Sequence, residues 1–204
     1  MRMRPIPFVP SVEEIRVGEA GEIVGLEQVV SYWTEGACGA RDWFSEVVES
    51  WGTAGFVVRR GEETLGFVIY GPQAFLPRAE RYPVGPLGED AALLAYVDGD
   101  ARTRRRLLVR SMRDLRHRGF GGVEAIASDL GLPRHVPTRF LSESGWKPVR
   151  QNTGYPYTLM RADFGSVVEV GELARGLMGK VKLPVLKAPG APALVRVRAQ
   201  ERRP

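Results

Sequence analysis

The run Ala-Ala-Leu-Leu-Ala-Tyr-Val at residues 91–97 decides the fold of this chain. It is almost entirely apolar, which is typical of a strand buried on both faces, although a buried helix gives a similar run. Asp98, Gly99 and Asp100 follow, and three turn-forming residues in succession end a strand. We therefore interpret residues 91–97 as a buried strand followed by a turn.

An amphipathic helix and a second strand follow this turn. Between Thr103 and Arg118, apolar residues recur at helical spacing on one face and arginines take the other face. The apolar face comprises Leu107, Leu108, Met112 and Leu115. Glycines between 119 and 122 stop the helix, and residues 123–127 have the composition of a short strand. This order predicts a βαβ unit with parallel, neighbouring strands.

Length and composition are those of an ordinary globular protein. The 204 residues are 44% hydrophobic and 26% charged, so we expect one domain with an extension and a sizeable core. The net charge of +5 indicates either a solvated arginine-rich surface or a pocket for an anionic ligand. Nucleic acid is not expected as a partner, because no long basic run with interleaved aromatic residues occurs.

The metal-ligating residue types are scarce. Cys38 is the only cysteine, which excludes an intrachain disulfide and a cysteine-based zinc site and fits a reducing compartment. With only two histidines, His117 and His135, we predict no metal cofactor. No apolar run is long enough to span a bilayer, and residues 1–10 lack the apolar core of a signal peptide. We therefore predict a cytoplasmic protein without a membrane partner.

The segments before the buried strand also carry secondary-structure patterns. Residues 11–14 have the pattern of a helix start, and we expect a strand over the last part of residues 22–33. Residues 40–51 form an amphipathic pattern and predict a helix. Residues 56–60 and 65–70 predict two strands joined by a hairpin loop.

The remaining segments predict a loop, two helices and two closing strands. Residues 73–90 are rich in Pro and Gly and too long for a mere connector, which is typical of a loop that lines a binding site. Residues 136–144 predict a short helix, residues 146–149 and 157–161 two strands, and residues 167–181 a further helix.

This order of elements resembles the GNAT superfamily of N-acetyltransferases over about residues 29–163. The buried strand with Asp98 after it resembles the family's central strand, and Leu-Leu-Val and Met-Arg-Asp-Leu within 107–115 resemble its crossover helix. Val-Pro-Thr-Arg-Phe-Leu-Ser-Glu-Ser-Gly-Trp at 136–146 resembles its late helix, which usually ends Phe-Tyr-x-x-x-Gly-Phe. The Tyr-Val-Asp and Val-Pro-x-x-Phe-Leu motifs are most similar to a group of actinobacterial GNAT proteins.

The resemblance implies both an architecture and an activity. It implies an α/β (α+β) fold with a mixed, mostly antiparallel central sheet flanked by helices. It divides the chain into an N-terminal arm (1–28), a GNAT-like domain (29–163) and a C-terminal helix and tail (164–204). The implied reaction is acyl transfer from acetyl-CoA, or another acyl-CoA, to a small-molecule amine. The C-terminal segment would dock on a second subunit, giving a homodimer, or cover the acceptor cleft.

The resemblance also assigns residues to the binding of CoA. Backbone groups of the central strand bind the pantetheine arm in the family, and that role falls here to Leu94, Ala95, Tyr96 and Val97. The turn before the crossover helix binds the pyrophosphate through backbone N–H groups, in a pattern Arg/Gln-x-x-Gly-x-Gly/Ala. The corresponding text is Asp-Ala-Arg-Thr-Arg-Arg at 100–105, with larger residues at both glycine positions.

This departure at the turn has two functional interpretations. Arginine side chains could bind the phosphates in place of the backbone, or Thr103 and Arg105 could block the backbone and abolish cofactor binding. A third interpretation is a merely solvated first turn. Because cations at a helix N-terminus oppose the helix dipole, the cluster favours an anionic partner. We predict cofactor contacts from Arg102, Thr103, Arg104, Arg105 and Arg106, and both functional interpretations stay open.

Acyl transfer needs a base for the amine and an acid for the thiolate. The family's frequent acid is the tyrosine of its late helix, and Leu141 takes that position here and cannot donate a proton. We predict Tyr96 and Glu124 as catalytic candidates; the alternatives are a buried core tyrosine and a solvated carboxylate. Neither His117 nor His135 has a partner that suggests catalysis. The alternative function is a catalytically inactive GNAT-fold module for binding or regulation.

Overall fold

The computed structural model describes residues 9–164, and a seven-stranded sheet lies at its centre. The strands are β1 (Ser11–Glu14), β2 (Gly55–Arg60), β3 (Glu63–Gly71), β4 (Ala91–Val97), β5 (Gly122–Ser128), β6 (Lys147–Gln151) and β7 (Tyr157–Asp163). Their spatial order is β1-β2-β3-β4-β5-β7-β6. All neighbouring pairs are antiparallel except β4 and β5, which are parallel. The predicted mixed, mostly antiparallel sheet is confirmed.

Helices cover both faces of the sheet and enclose one core on each. They are α1 (Leu26–Trp33), α2 (Ala40–Trp51), α3 (Ala101–His117) and α4 (Thr138–Glu143). Short 3₁₀ helices lie at Val17–Glu19, Gln73–Phe75 and Pro77–Arg81. The buried side chains of α1 and α2 belong to one core, and those of α3 and α4 belong to the other. We call these two sides of the sheet the α1 face and the α3 face.

The predicted βαβ unit is present. β4 leads through a turn into α3, whose predicted apolar face is buried against the sheet, and α3 leads into the parallel strand β5. The closing strands β6 and β7 and the hairpin of β2 and β3 also follow the predicted order. None of the helices within residues 9–164 is both long and apolar enough to cross a membrane.

Two predictions near the N-terminus were wrong. Residues 11–14 are a strand and not a helix start, because they pair along the free edge of β2, from Ser11 with Arg59 to Glu14 with Phe56. The expected strand before residue 33 is the helix α1. Its buried residues follow helical spacing and are Leu26, Val29, Val30 and Trp33.

Part of the predicted N-terminal arm therefore packs in the fold. β1 extends the sheet, and Ile15, Ala20 and Ile23 are buried in the core of the α1 face. Residues 1–8, the predicted helix at 167–181 and the tail beyond it lie outside the described residues.

Candidate functional site

The central feature of the site is a gap between the parallel strands β4 and β5. The two strands pair over only three positions, from Ala91 with Gly122 to Leu93 with Glu124. Beyond Leu93 they diverge, and within residues 9–164 the side of Leu94–Val97 that faces β5 has no strand partner. The gap therefore opens toward the carboxyl ends of both strands.

A bulge in β4 shapes the same stretch. Tyr70 of β3 pairs with Leu94 and Ile69 pairs with Tyr96, so Ala95 has no partner on β3. One extra residue in a strand bends it and increases its twist, and the pairing of β4 with β5 ends in the same stretch. Leu94, Ala95 and Val97 are buried and Tyr96 is half-buried, so the open edge of the strand lies inside the protein.

Ion pairs hold the strands together at the closed end of the gap. Arg161 of β7 donates to Asp90 at 2.7 Å, to Glu124 at 2.9 Å and to Asp163 at 2.5 Å. The second carboxylate oxygen of Glu124 accepts from the backbone N–H of Gly88 at 2.9 Å. We call Arg161 and these three carboxylates the Arg161 cluster.

Glu124 therefore has a defined structural environment. Its side chain is 3% exposed and both of its oxygens accept hydrogen bonds, so the interpretation of Glu124 as a solvated carboxylate was wrong. Both oxygens of Glu124 are thus already engaged by donors of the protein itself. The Arg161 guanidinium also lowers the pKa of Asp90, by hydrogen bonding to that carboxylate.

The turn between β4 and α3 is tightly built. The N–H of Asp98 donates to the carbonyl of Phe67 at 2.7 Å, and Gly99 lies at φ +110°, a conformation that favours glycine. The carboxylate of Asp100 accepts from the N–H of Thr103 at 2.7 Å and caps α3, which lowers the pKa of Asp100. An N–H that could face a phosphate is therefore already occupied by a carboxylate.

The arginines after this turn divide between two sides of α3. Arg102 and Arg106 lie one helical turn apart and line a cavity of about 340 Å³, together with Thr103 and Arg60. The guanidinium of Arg104 packs 4.8 Å from the ring centroid of Phe140, next to α4. The Nε atoms of Arg104 and Arg105 are buried without a hydrogen-bond partner among the described residues. The predicted set thus does not form a single cluster.

A second group of polar side chains meets on the α1 face. The hydroxyl oxygens of Tyr32 and Tyr82 are 2.5 Å apart, and the Tyr82 oxygen lies 2.6 Å from Nε2 of His135. Nδ1 of His135 lies 3.0 Å from the carbonyl oxygen of Pro133. We call Tyr32, Tyr82 and His135 the tyrosine–histidine row.

The row lies beside the carboxyl end of β5. Tyr157, which pairs with the last residue of β5, has its ring 4.9 Å from that of His135 and 5.0 Å from that of Tyr82. Tyr82 also shares the core of the α1 face with Leu93 and Ala95 of β4. The row therefore lies beside the carboxyl end of β5, on the same face of the sheet as Leu93 and Ala95 of β4.

Burial and nearby cations lower the pKa of His135. His135 is 4% exposed, and desolvation lowers the pKa of its imidazole below the ordinary value of 6.5. The positive charges of Arg78 and Arg134 lower this pKa further. The hydrogen-bond partner of His135, Tyr82, is 53 residues away in the chain, so the sequence alone did not indicate this pair.

Solved structures with the same architecture match most of the chain. A Desulfovibrio desulfuricans protein assigned to the GNAT acetyltransferase family is 18% identical, with TM-score 0.50, over 76% of this chain and 99% of that chain. This chain has the GNAT fold. An N-acetyltransferase from Staphylococcus aureus Mu50 is 13% identical, with TM-score 0.51, over 76% and 98% of the two chains.

A third match is an uncharacterised protein from Bacillus halodurans, 12% identical with TM-score 0.53 over 83% of this chain and 90% of that chain. No protein-family model and no curated protein matches the sequence. At these identities the likeness establishes the GNAT fold and leaves the activity to be argued from the site.

The structure also places Leu141 and Tyr96, the two residues considered above for the role of the acid. Leu141 is fully buried in the core of the α3 face, and the hydroxyl of the nearby Ser144 donates to the carbonyl of Phe140 at 2.8 Å. Tyr96 packs on the α1 face, with its ring 5.9 Å from that of Phe67. Burial, reinforced by the Asp98 carboxylate, raises the pKa of Tyr96 above its ordinary value, so its phenol stays protonated at neutral pH.

Proposed function

We propose that the chain transfers an acyl group, acetyl in the simplest case, from acyl-CoA to a small-molecule amine. The open edge of β4 at Leu94–Val97 carries this proposal. Buried backbone N–H and C=O groups need partners, and a ligand with amide groups supplies them as an added strand does. The pantetheine arm of CoA is an extended chain with two amides, so it fits the gap between β4 and β5.

The arginines beside the turn support binding of the CoA phosphates through side chains. Asp100 occupies the N–H of Thr103, so this part of the backbone does not fit a pyrophosphate. Arg60, Arg102 and Arg106 meet at one cavity, which Asp100 also lines, and among the described residues none of the three forms an ion pair. Guanidinium groups bind phosphate oxygens with paired hydrogen bonds, and these three arginines would replace the missing backbone contacts.

Tyr96 is the residue of β4 best suited to protonate the thiolate. It sits on the open stretch of the strand, and with a pKa raised above the ordinary value of 10 it carries its proton at neutral pH. Leu141 leaves the usual position of this donor without a hydroxyl, so the reaction needs a donor from another element.

A second candidate function is a GNAT-fold module that binds a ligand or partner without catalysis. The Asp100 carboxylate at the turn favours it, since a negative charge beside the pyrophosphate position opposes CoA binding. A calorimetric titration with acetyl-CoA, with desulfo-CoA as a control, distinguishes the two functions. Micromolar binding supports acyl transfer, and no binding at millimolar ligand supports the second candidate.

The double variant Arg102→Glu/Arg106→Glu should weaken acetyl-CoA binding about 100-fold or more. Each hydrogen bond to a charged group contributes about 1.5–3 kcal/mol, which corresponds to roughly 10- to 100-fold in affinity. The loss should shrink as salt is raised, because salt screens exposed charges. Calorimetry at low and high salt measures both effects.

Arg113→Glu, on the exposed side of the same helix, is the matched control for this double variant. It changes charge on α3 away from the cavity and should leave acetyl-CoA affinity within about twofold, as expected of a surface substitution. Equal losses from the double variant and from this control would contradict a phosphate site at the cavity.

A further inference from the structure

We propose that the tyrosine–histidine row, with Arg78 and Arg134 beside it, is the acceptor site for an amine that also carries a carboxylate. The proposal rests on the proposed acyl transfer and names the substrate class for that same site. Arg78 and Arg134 bind the carboxylate, and the hydroxyl oxygen of Tyr32 accepts a hydrogen from the amine.

The direction of the hydrogen bonds in the row follows from its inner end. The Pro133 carbonyl can only accept, so Nδ1 of His135 carries the hydrogen and Nε2 is the acceptor. Tyr82 therefore donates to Nε2, and its own oxygen accepts from the hydroxyl of Tyr32. The outer end of the row is the oxygen of Tyr32, whose lone pairs can accept a hydrogen bond. Because the Tyr32 hydroxyl is itself donating, this oxygen is a stronger acceptor.

The same row can move one proton inward. The acceptor ammonium gives a proton to the Tyr32 oxygen, Tyr32 gives its own to Tyr82, and Tyr82 gives its own to Nε2 of His135. The neutral amine then forms the C–N bond as the C–S bond breaks. Tyr96 protonates the departing thiolate and is reprotonated by the proton that the new amide nitrogen loses. His135 returns its extra proton to water along the row. Tyr32 is the catalytic residue of this step, and Tyr82 and His135 are positioning residues.

Two unpaired guanidinium groups lie against the ring of Tyr32. The Cζ atoms of Arg78 and Arg134 are 4.0 Å and 5.5 Å from its centroid. Neither has an ion-pair partner within residues 9–164, whereas Arg81 of the same 3₁₀ helix pairs with Glu35. The Nε of Arg78 is buried without a hydrogen-bond partner in that range. A carboxylate would satisfy these donors, and without it the two cations would repel an ammonium.

The carboxylate of the acceptor would also change the pKa of His135. His135 is faced by Arg78, Arg134, Tyr32, Tyr82 and Tyr157, and no carboxylate is among these groups. Because the two arginines lower the pKa of His135, a bound carboxylate that offsets their charge should raise it. An anionic acceptor thus makes His135 a better proton acceptor, and a neutral amine does not.

Paired ligands test the acceptor site in the full chain without acyl-CoA. Amino acids and their matching amides are titrated by calorimetry, and the pKa of His135 is followed by NMR. At least one amino acid should bind about tenfold or more tightly than its amide, the range of one charge-assisted hydrogen bond. The pKa of His135 should rise with the acid and stay unchanged with the amide. Equal binding of both, or of neither, would overturn the site.

Two arginine variants test whether Arg78 causes the difference in affinity between acid and amide. Arg78→Met should abolish the difference between acid and amide, and Arg81→Met, in the same 3₁₀ helix, should preserve it. Loss of the difference in both variants would mean that general surface charge, and not the site, distinguishes the ligands.

Tyr32→Phe tests the proton step, because it removes the hydroxyl and keeps the ring under the arginines. With the best amino acid as acceptor, kcat should fall roughly 100-fold or more while KM stays within about twofold. An unchanged kcat would overturn the proton step.

If amino acids bind in an Arg78-dependent way but no amine is acetylated, acyl transfer fails and the binding site stands. If amines without a carboxylate are acetylated equally well, acyl transfer stands and the acceptor site fails.

Discussion

Arg161→Met should lower the free energy of unfolding by about 3–5 kcal/mol, the cost of leaving a buried charge without its partner. Arg161 is 17% exposed and binds three carboxylates from three segments of the chain. Glu124 would be affected most, since its side chain is 3% exposed and would lose its cationic partner. Urea unfolding of the variant and the parent protein measures the difference.

Two further variants establish that the buried charge is the cause. Arg161→Met/Glu124→Leu should recover a large part of the loss, because a buried ion pair can be replaced by apolar side chains. Arg139→Met removes a guanidinium that is 89% exposed and paired with Glu143, and should cost less than about 0.5 kcal/mol. A loss below about 1 kcal/mol in Arg161→Met would contradict this role of the cluster.

The Arg161 cluster also predicts a pH dependence. Since Arg161 lowers the pKa of Asp90 in the folded protein, their pairing contributes stability above the unfolded pKa of about 3.8. That contribution is lost as the pH falls from about 3.8 through the lowered folded pKa. Unfolding measured across this range should show the dependence in the parent protein and a weaker one in Arg161→Met.

Gly66→Ala should lower the free energy of unfolding by about 3 kcal/mol, at the upper end of the usual cost of overpacking. A Cβ at Gly66 would lie 2.4 Å from the carbonyl oxygen of Asp98 and 2.9 Å from the Cα of Gly99. Both neighbours are backbone atoms, so the turn before α3 must move to admit the methyl group. The same displacement should abolish acetyl-CoA binding, because the turn and the end of β4 form one side of the proposed site.

Gly18→Ala is the control for Gly66→Ala. A Cβ at Gly18 has no atom within 4 Å, so the free energy of unfolding should change by less than about 0.5 kcal/mol. Urea unfolding measures both variants, and calorimetry measures acetyl-CoA binding. A Gly66→Ala protein with parent-like stability would mean that the turn is looser than the distances indicate.

Local patterns sufficed for the centre of this fold. The apolar run at 91–97 and the helical spacing of Leu107, Leu108, Met112 and Leu115 predicted β4 and α3, since burial on both faces or on one face leaves a period in the sequence. The same rule was misapplied to α1, whose buried residues also follow helical spacing.

The strand β1 could not be predicted in this way. Ser11 and Glu14 have the spacing of a helix cap, but their segment pairs with the edge of β2, more than 40 residues later. Pairing with a distant strand supplies backbone hydrogen bonds that local propensity does not record. The turn before α3 was predicted only in part. The sequence showed its unusual residues, but only the structure showed that Asp100 caps the helix and that the arginines lie on two different sides of it.

The sequence alone was enough for the order of elements from α2 to β7, the GNAT-like sheet and the absence of a tyrosine at Leu141, because each depends on residues close together in the chain. Only the tertiary structure decided which polar groups meet. Tyr32, Tyr82 and His135 are about 50 residues apart and share no motif, yet they form one hydrogen-bonded row. Glu124 and Arg161 likewise meet because β5 pairs with β7. Contacts of this kind follow from strand order and loop packing, which a local pattern does not contain.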